Sequence, residues 1–251
     1  MKIITITNQK GGAGKTTTVD ATLSGLKNKG FNVLAIDLDP QCNLTFSLNA
    51  DLSLPNILDV MTGEADIGEA IQKSPRGDFI AGSKQMSRAE MIFTDTGKEY
   101  CLKEALSKLK TRYDYVLIDT PPALGILTIN ALTACNSVVI PAQADIYSIQ
   151  GIERLFDTIN AVKQYTNNKI KVAGILLTRY SDRAVLSKTM ADMATQISTK
   201  MKSKVFTASI REAIAIKEAQ LSQQSIFDYA KNSKVSDDYS EFVDELIAET
   251  K

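Results

Sequence analysis

The stretch Thr5–Thr18, TITNQKGGAGKTTT, decides how this chain is read. An apolar run (Ile3, Ile4, Ile6) leads into a turn containing Gly11, Gly12, Ala13 and Gly14, and Lys15, Thr16 and Thr17 follow. A strand, a glycine turn, a lysine and a hydroxyl residue, in that order, suit the phosphates of a nucleotide. Backbone N–H groups can turn inward where no Cβ blocks them, and the positive end of the next helix faces the anion. Lys15 is placed to neutralise the β- and γ-phosphates, Thr16 offers a hydroxyl to Mg²⁺, and Thr17 sits in the first helical turn. The ordinary pattern G-x-x-x-x-G-K-[ST] fails at one point, because Gln9 stands where its first glycine belongs. A second lysine, Lys10, opens the loop and is not needed to cradle a phosphate.

Outward from this loop, apolar runs alternate with helical patterns. Strands are expected at Lys2–Thr7, Asn32–Asp37, Asp78–Ala81, Tyr113–Asp119, Ser137–Pro141, Lys171–Leu177 and, as a short piece, Lys204–Phe206. Helices are expected at Lys15–Lys29, Pro55–Met61, Ile67–Gln72, Lys98–Lys110, Ile126–Ala134, Ile149–Tyr165, Leu186–Met201 and Tyr239–Ala248. Asp39–Ser53 reads as a loop. Strands without in/out alternation, separated by helices, imply a mostly parallel, doubly wound α/β sheet with helices on both faces. With no repeat, low-complexity tract or linker, residues 1–251 read as a single domain.

Composition narrows the chemistry. Hydrophobic residues make up 44% of the 251 and charged residues 23%, which suits a globular protein with a sizeable core. Lys+Arg and Asp+Glu both number 29, so any attraction to a polyanion must come from local asymmetry. There is no histidine, and the three cysteines (Cys42, Cys101, Cys135) are far apart. Ser-His and Cys-His nucleophiles are thereby excluded, a zinc site or disulfide framework is not expected, and a reducing cytoplasm is the natural setting. No apolar run reaches signal-peptide or transmembrane length.

Two acidic stretches are placed to complete the site. Asp37-Leu38-Asp39-Pro40-Gln41 closes the second strand, where two acids beside a phosphate loop suit water or metal chemistry. Asp119 ends the buried run Val116-Leu117-Ile118 and precedes Thr120-Pro121-Pro122, the Walker B arrangement in which a strand delivers one carboxylate to the Mg²⁺ shell. Phosphoryl transfer to water needs positioning and charge neutralisation more than covalent chemistry.

Lys10-Gly11-Gly12-Ala13-Gly14-Lys15-Thr16-Thr17 resembles the deviant Walker A motif of the ParA/MinD superfamily of ATPases. The resemblance extends to D-x-D-P-Q at Asp37–Gln41, to D-T-P-P at Asp119–Pro122, and more loosely to Ile210–Gln220, which is similar to the I-R-x-x-x-A-x-x-E-A-Q region of ParA-type partition ATPases. It implies that ATP and Mg²⁺ bind, that Lys10 contacts nucleotide across an ATP-dependent homodimer, that Asp39 positions the attacking water, and that Thr178 lies where related folds contact the purine. The family usually has glycine where Cys42 stands. Lys10, Lys15 and Asp39 would be the catalytic set, acting slowly until a partner completes the geometry.

Family outputs differ, and the sequence separates them. A MinD-like membrane helix needs a basic polar face, whereas the last helix here carries Glu241, Asp244, Glu245 and Glu249. A shared iron–sulfur cluster needs paired cysteines, which are absent. From Arg179 to Lys217 there are eight basic and three acidic residues, net +5, and from Glu218 to Lys251 eight acidic and three basic, net −5. Such a basic stretch suits phosphate contacts that read no bases. By resemblance, Arg211 and Lys217 are the candidate DNA contacts, followed by Lys200, Lys202 and Lys204. The expectation is a short-form DNA-segregation ATPase without an N-terminal helix-turn-helix. It would act in the cytoplasm on the nucleoid, bind DNA non-specifically, not engage membrane, and be released by a ParB-like centromere-binding partner. A MinD-like or protein-cargo-positioning ATPase is the alternative.

Overall fold

The computed structural model describes residues 1–143, 145–181 and 185–250. In chain order the elements are β1 (Lys2–Ile6), α1 (Lys15–Asn28), β2 (Val33–Asp37), α2 (Asn43–Ser47), α3 (Ile57–Thr62), β3 (Ile71–Ser74), β4 (Gly77–Ile80), α4 (Ala89–Ile92), α5 (Cys101–Ser107), β5 (Tyr115–Asp119), α6 (Ile126–Ala134), β6 (Ser137–Gln143), α7 (Ile146–Tyr165), β7 (Lys171–Tyr180), α8 (Val185–Lys200), β8 (Ile210–Arg211), α9 (Ile214–Leu221), α10 (Ile226–Tyr229) and α11 (Lys234–Glu249). The strands form one sheet in the order β3-β4-β2-β5-β1-β6-β7-β8. Every pairing is parallel except β3 with β4. This is the doubly wound α/β sheet the strand patterns predict.

Successive strand residues point to opposite faces, and both faces are apolar. Val33, Ala35, Tyr115 and Leu117 join α1 and α11 in one core, while Leu34, Ile36, Val116 and Ile118 join α3, α5 and α6 in another. A third core, on Val138, Ile140 and Leu177, lies under α7 and α8. Burial on both sides explains why these strands lack an in/out alternation. The last helix buries Val235, Tyr239, Phe242, Val243 and Leu246. Its apolar face is therefore packed into the domain, as its acidic polar side suggests. Among the described residues no helix is long and apolar enough to cross a membrane.

Three departures from expectation are instructive. Ile67–Gln72 is not a helix: its end opens the edge strand β3, which turns back through Pro75-Arg76 into β4. The turn closes on Gly77 at φ +138°, where an added Cβ would lie 2.5 Å from Leu23. Lys204–Phe206 makes only a single bridge, Val205 with Ile175. The expected loop Asp39–Ser53 contains the short helix α2, and β8, α9 and α10 fill the segment after Thr207.

Candidate nucleotide site

Parallel β1, β2, β5, β6 and β7 all end at one edge of the sheet, so the polar residues at their carboxyl ends meet there. The loop from Thr7 to Gly14 is built against its neighbours. Thr7 donates its N–H to the Val139 carbonyl, and the Asn8 side chain donates to the Pro141 carbonyl at 2.7 Å while accepting from the Lys10 N–H at 3.1 Å. Gln143, at the end of β6, donates to the Gly12 carbonyl. Thr178, paired in register with Gln143, donates to the Ala13 carbonyl at 3.0 Å. Gly12 and Gly14 lie at φ +76° and +90°, left-handed conformations that only glycine adopts without strain. Among the described residues no side chain caps the start of α1, so the N–H groups of its first turn remain for an anion.

Both lysines of the loop are placed. The Lys15 ammonium donates to the Lys10 carbonyl at 3.2 Å and the residue is 6% exposed. Burial lowers its pKa, opposed by the charges of Asp119 and Asp39. Lys10 instead reaches sideways, to Asp145 at 2.5 Å and Gln143 at 3.3 Å. Partial burial raises the Asp145 pKa, but the Lys10 ammonium and the hydrogen bonds from Ser148 hold it below the usual carboxylate range.

The acids divide the work. Asp37 and Asp119 are register partners at the ends of β2 and β5. Asp37 accepts from the Thr45 N–H and hydroxyl at 2.8 and 2.7 Å and from the Asp39 N–H, so it orders the start of α2. Burial pushes its pKa up to about 6. Asp39 accepts from the Gln41 N–H and borders the open cavity. Asp119 is fully buried, and among the described residues neither of its carboxylate oxygens has a partner at full hydrogen-bond geometry, the Thr16 hydroxyl being nearby. Burial and the charge of Asp37 raise its pKa well above the carboxylate range; the Thr16 hydroxyl and Lys15 pull it back.

That orphaned carboxylate, beside Thr16, fits a hard cation. No group of three or more His, Cys, Asp or Glu among the described residues could hold a metal alone. A cation here would take most of its ligands from water and phosphate, the habit of Mg²⁺ rather than Ca²⁺ or Zn²⁺.

The cavity has a volume of about 600 Å³ and is lined by the phosphate loop together with Arg179, Ile210 and Gln220. Arg211 and Lys217 also line it. The Arg211 guanidinium is clamped by Asp238 through two contacts of 2.6 Å, and Lys204 pairs with Glu245 and Glu249. The basic and acidic halves of the C-terminal region thus neutralise each other in part. Lys200, Lys202 and Lys217 are exposed. Arg183 and the Lys188 side chain lie outside the described residues. The hydroxyl of Thr178 faces the loop backbone, so in this structure it braces the phosphate loop.

Sequence reasoning missed the braces Asn8 and Gln143, the Lys10 counter-ion Asp145, and Gln220. Their only signal is position, at the carboxyl ends of strands or, for Gln220, inside the Ile210–Gln220 resemblance.

Residues 1–172 match the family model described as an AAA domain. The chain is 35% identical to the sporulation initiation inhibitor protein Soj of Bacillus subtilis, covering 98% of both chains. It is 32% identical to the chromosome partitioning protein ParA of Caulobacter vibrioides, covering 99% of this chain and 94% of that one. A crystal structure of cobyrinic acid a,c-diamide synthase from Mycobacterium smegmatis, with bound ADP and magnesium, superimposes with a TM-score of 0.83 at 33% identity, covering 97% of this chain and 93% of that one. A phosphate loop with its extra lysine, two strand-end acids and these full-length likenesses lead to one assignment: the chain belongs to the ParA/MinD-type family of P-loop partition ATPases.

Proposed function

We propose that this chain, acting as a single ATPase domain, is a DNA-segregation ATPase. It binds ATP with Mg²⁺, dimerises, coats DNA without reading its sequence, and leaves it when a ParB-like partner stimulates hydrolysis in the nucleoid-containing cytoplasm. One observation carries the reading: Lys10 stands at the rim of the phosphate loop, held by side chains and not by the loop itself. It is thus positioned to serve a site other than the one Lys15 fills. The full-length likeness to Soj and ParA supports the partition role.

The chemistry that Mg²⁺ would supply when bound is neutralisation of phosphate charge. The chain's own residues do the rest. Thr16 and Asp119 would hold the cation, first-turn N–H groups and Lys15 would hold the phosphates, and Asp39 would orient the attacking water. Thr178 and Gln143 keep the loop open for them. Lys217, with Arg211, is the candidate contact to DNA phosphates.

Co-sedimentation with DNA and with anionic liposomes, with and without ATP, tests the reading. ATP-dependent pelleting with DNA alone is expected; pelleting with liposomes alone would favour a MinD-like regulator and overturn it. Lys217→Ala is expected to weaken binding to all DNA sequences alike and to flatten the salt dependence by about one phosphate contact. A changed ATP affinity with an unchanged salt slope would instead assign Lys217 to the nucleotide cavity.

A further inference from the structure

Helix α9 is loosely held by apolar contacts. Of its eight residues only Ala219 is buried, while Ile214 and Leu221 are 75% and 79% exposed. Its placement therefore depends on polar contacts, and these lead to the phosphate loop. The Gln220 side-chain amide donates to the Thr17 hydroxyl oxygen at 2.9 Å. Just beyond α9, Gln223 donates to the Phe46 carbonyl at 2.8 Å at the end of α2. Its own carbonyl accepts from Arg76 at 3.4 Å, and Arg76 pairs with Asp20, one turn beyond Thr17 on α1.

A hydroxyl that accepts from an amide keeps its own proton for another acceptor. Thr17 is half-buried and lines the cavity beside the loop. We propose that Gln220 is a positioning residue for nucleotide binding: it holds the Thr17 hydroxyl with its proton directed at a phosphate oxygen, and through the same bond it anchors α9 to the phosphate loop. The helix is then a sensor, ordered when the phosphate is present. This rests on the reading of the cavity as a nucleotide site.

The test is Mg²⁺-ATP binding by the full chain, with hydrogen exchange of the amides in 214–221. Loss of one hydrogen bond near a charged group corresponds to about a fivefold rise in Kd. Thr17→Val is expected to show it in full and Gln220→Ala in part, and the double variant no more than Thr17→Val alone, because Gln220 acts only through the Thr17 hydroxyl. Thr17→Ser, which keeps the hydroxyl, should bind as wild type. Gln220→Glu, an acceptor that competes for the Thr17 proton, should bind more weakly than Gln220→Ala. ATP should slow exchange across 214–221 in the wild type and not in Gln220→Ala. Multiplicative losses in the double variant, wild-type binding by Gln220→Ala, or equal exchange with and without ATP would overturn the proposal. Should Gln220→Ala fail to fold, the contrast between Thr17→Ser and Thr17→Val still decides, since equal binding by the two refutes it. Wild-type protein that binds no ATP would bring down the cavity reading and this inference with it. Binding that is normal and indifferent to Gln220 refutes the inference alone.

Discussion

The Lys10 ammonium lies 2.5 Å from the Asp145 carboxylate, and the same carboxyl group caps the start of α7 by accepting from the Ser148 N–H and hydroxyl. One acid therefore holds both the loop's extra lysine and a helix end. Asp145→Asn keeps a capping side chain and removes the charge. The pair is partly exposed, so its loss should release Lys10 at a gain of only ~0.5–1 kcal/mol. ATP-dependent dimerisation, followed by light scattering or sedimentation, is expected to strengthen about two- to fivefold. Lys10→Ala should do the opposite, abolishing dimerisation and hydrolysis while ATP binding is largely kept. Unchanged dimerisation in Lys10→Ala would remove Lys10 from the shared site.

Asp119 is a buried acid with no well-formed hydrogen bond among the described residues, a costly arrangement unless a ligand redeems it. Asp119→Ala should therefore raise the melting temperature of metal-free protein by a few degrees, at ~2–4 °C per kcal/mol for a chain of this size. The same variant should lose Mg²⁺-dependent hydrolysis. A fall in melting temperature would mean that the carboxylate is satisfied in solution.

Asp37 sets a pH dependence. Its folded pKa, raised to about 6, exceeds the unfolded value of about 4. The folded state thus holds this proton more tightly, so acid favours folding between pH 6 and 4, and that contribution is lost as the pH rises through 6. Without nucleotide, stability at pH 5 should exceed that at pH 7, with Asp37 supplying about 1 kcal/mol of the difference. Asp37→Asn should flatten the slope. A slope that survives in the variant would assign it to other groups.

Arg76 and Asp20 form a buried ion pair, each under 10% exposed at the side chain, with Ser47 as a further partner of both. Removing one member strands a buried charge, so Arg76→Met is expected to cost ~3–5 kcal/mol by denaturant unfolding. Asp20→Asn added to it should recover part of that loss. Additive losses would show that the two do not act as a pair.

Cys42 occupies the left-handed region at φ +55°, directly before α2. Cys42→Gly should relieve strain and be neutral to stabilising by up to ~1 kcal/mol, while Cys42→Val should destabilise by more than that. The resemblance noted a glycine at this position, and the dihedral explains why one suits it. With the thiol pushed up to about 11 by burial and by Asp37 and Asp39, oxidation at neutral pH should be slow.

What could be read in advance follows from how the signals arise. Ile126–Ala134 and the central strands declared themselves because long runs of buried residues leave periodic or continuous apolar patterns. The phosphate loop was legible because glycine, lysine and threonine at fixed spacing have few other uses. Two-residue β8 and five-residue α2 are too short to leave a pattern, and β3 depends on a hairpin turn whose key residue is a single glycine. Asn8, Gln143 and Asp145 act only once parallel strands bring their ends together. For Arg211 the charge is visible in the sequence, but the pairing with Asp238, 27 residues away, is not.

The packing of α11 on α1, with Val243 pressed so closely on Gly25 that a Cβ there would meet it at 2.9 Å, has a consequence for synthesis. The loop that grips phosphate precedes that helix, and Gln220, by most of the sheet. In a growing chain the loop is therefore made before the elements that hold it. Until those elements have emerged and packed, a nascent chain should be unable to retain nucleotide.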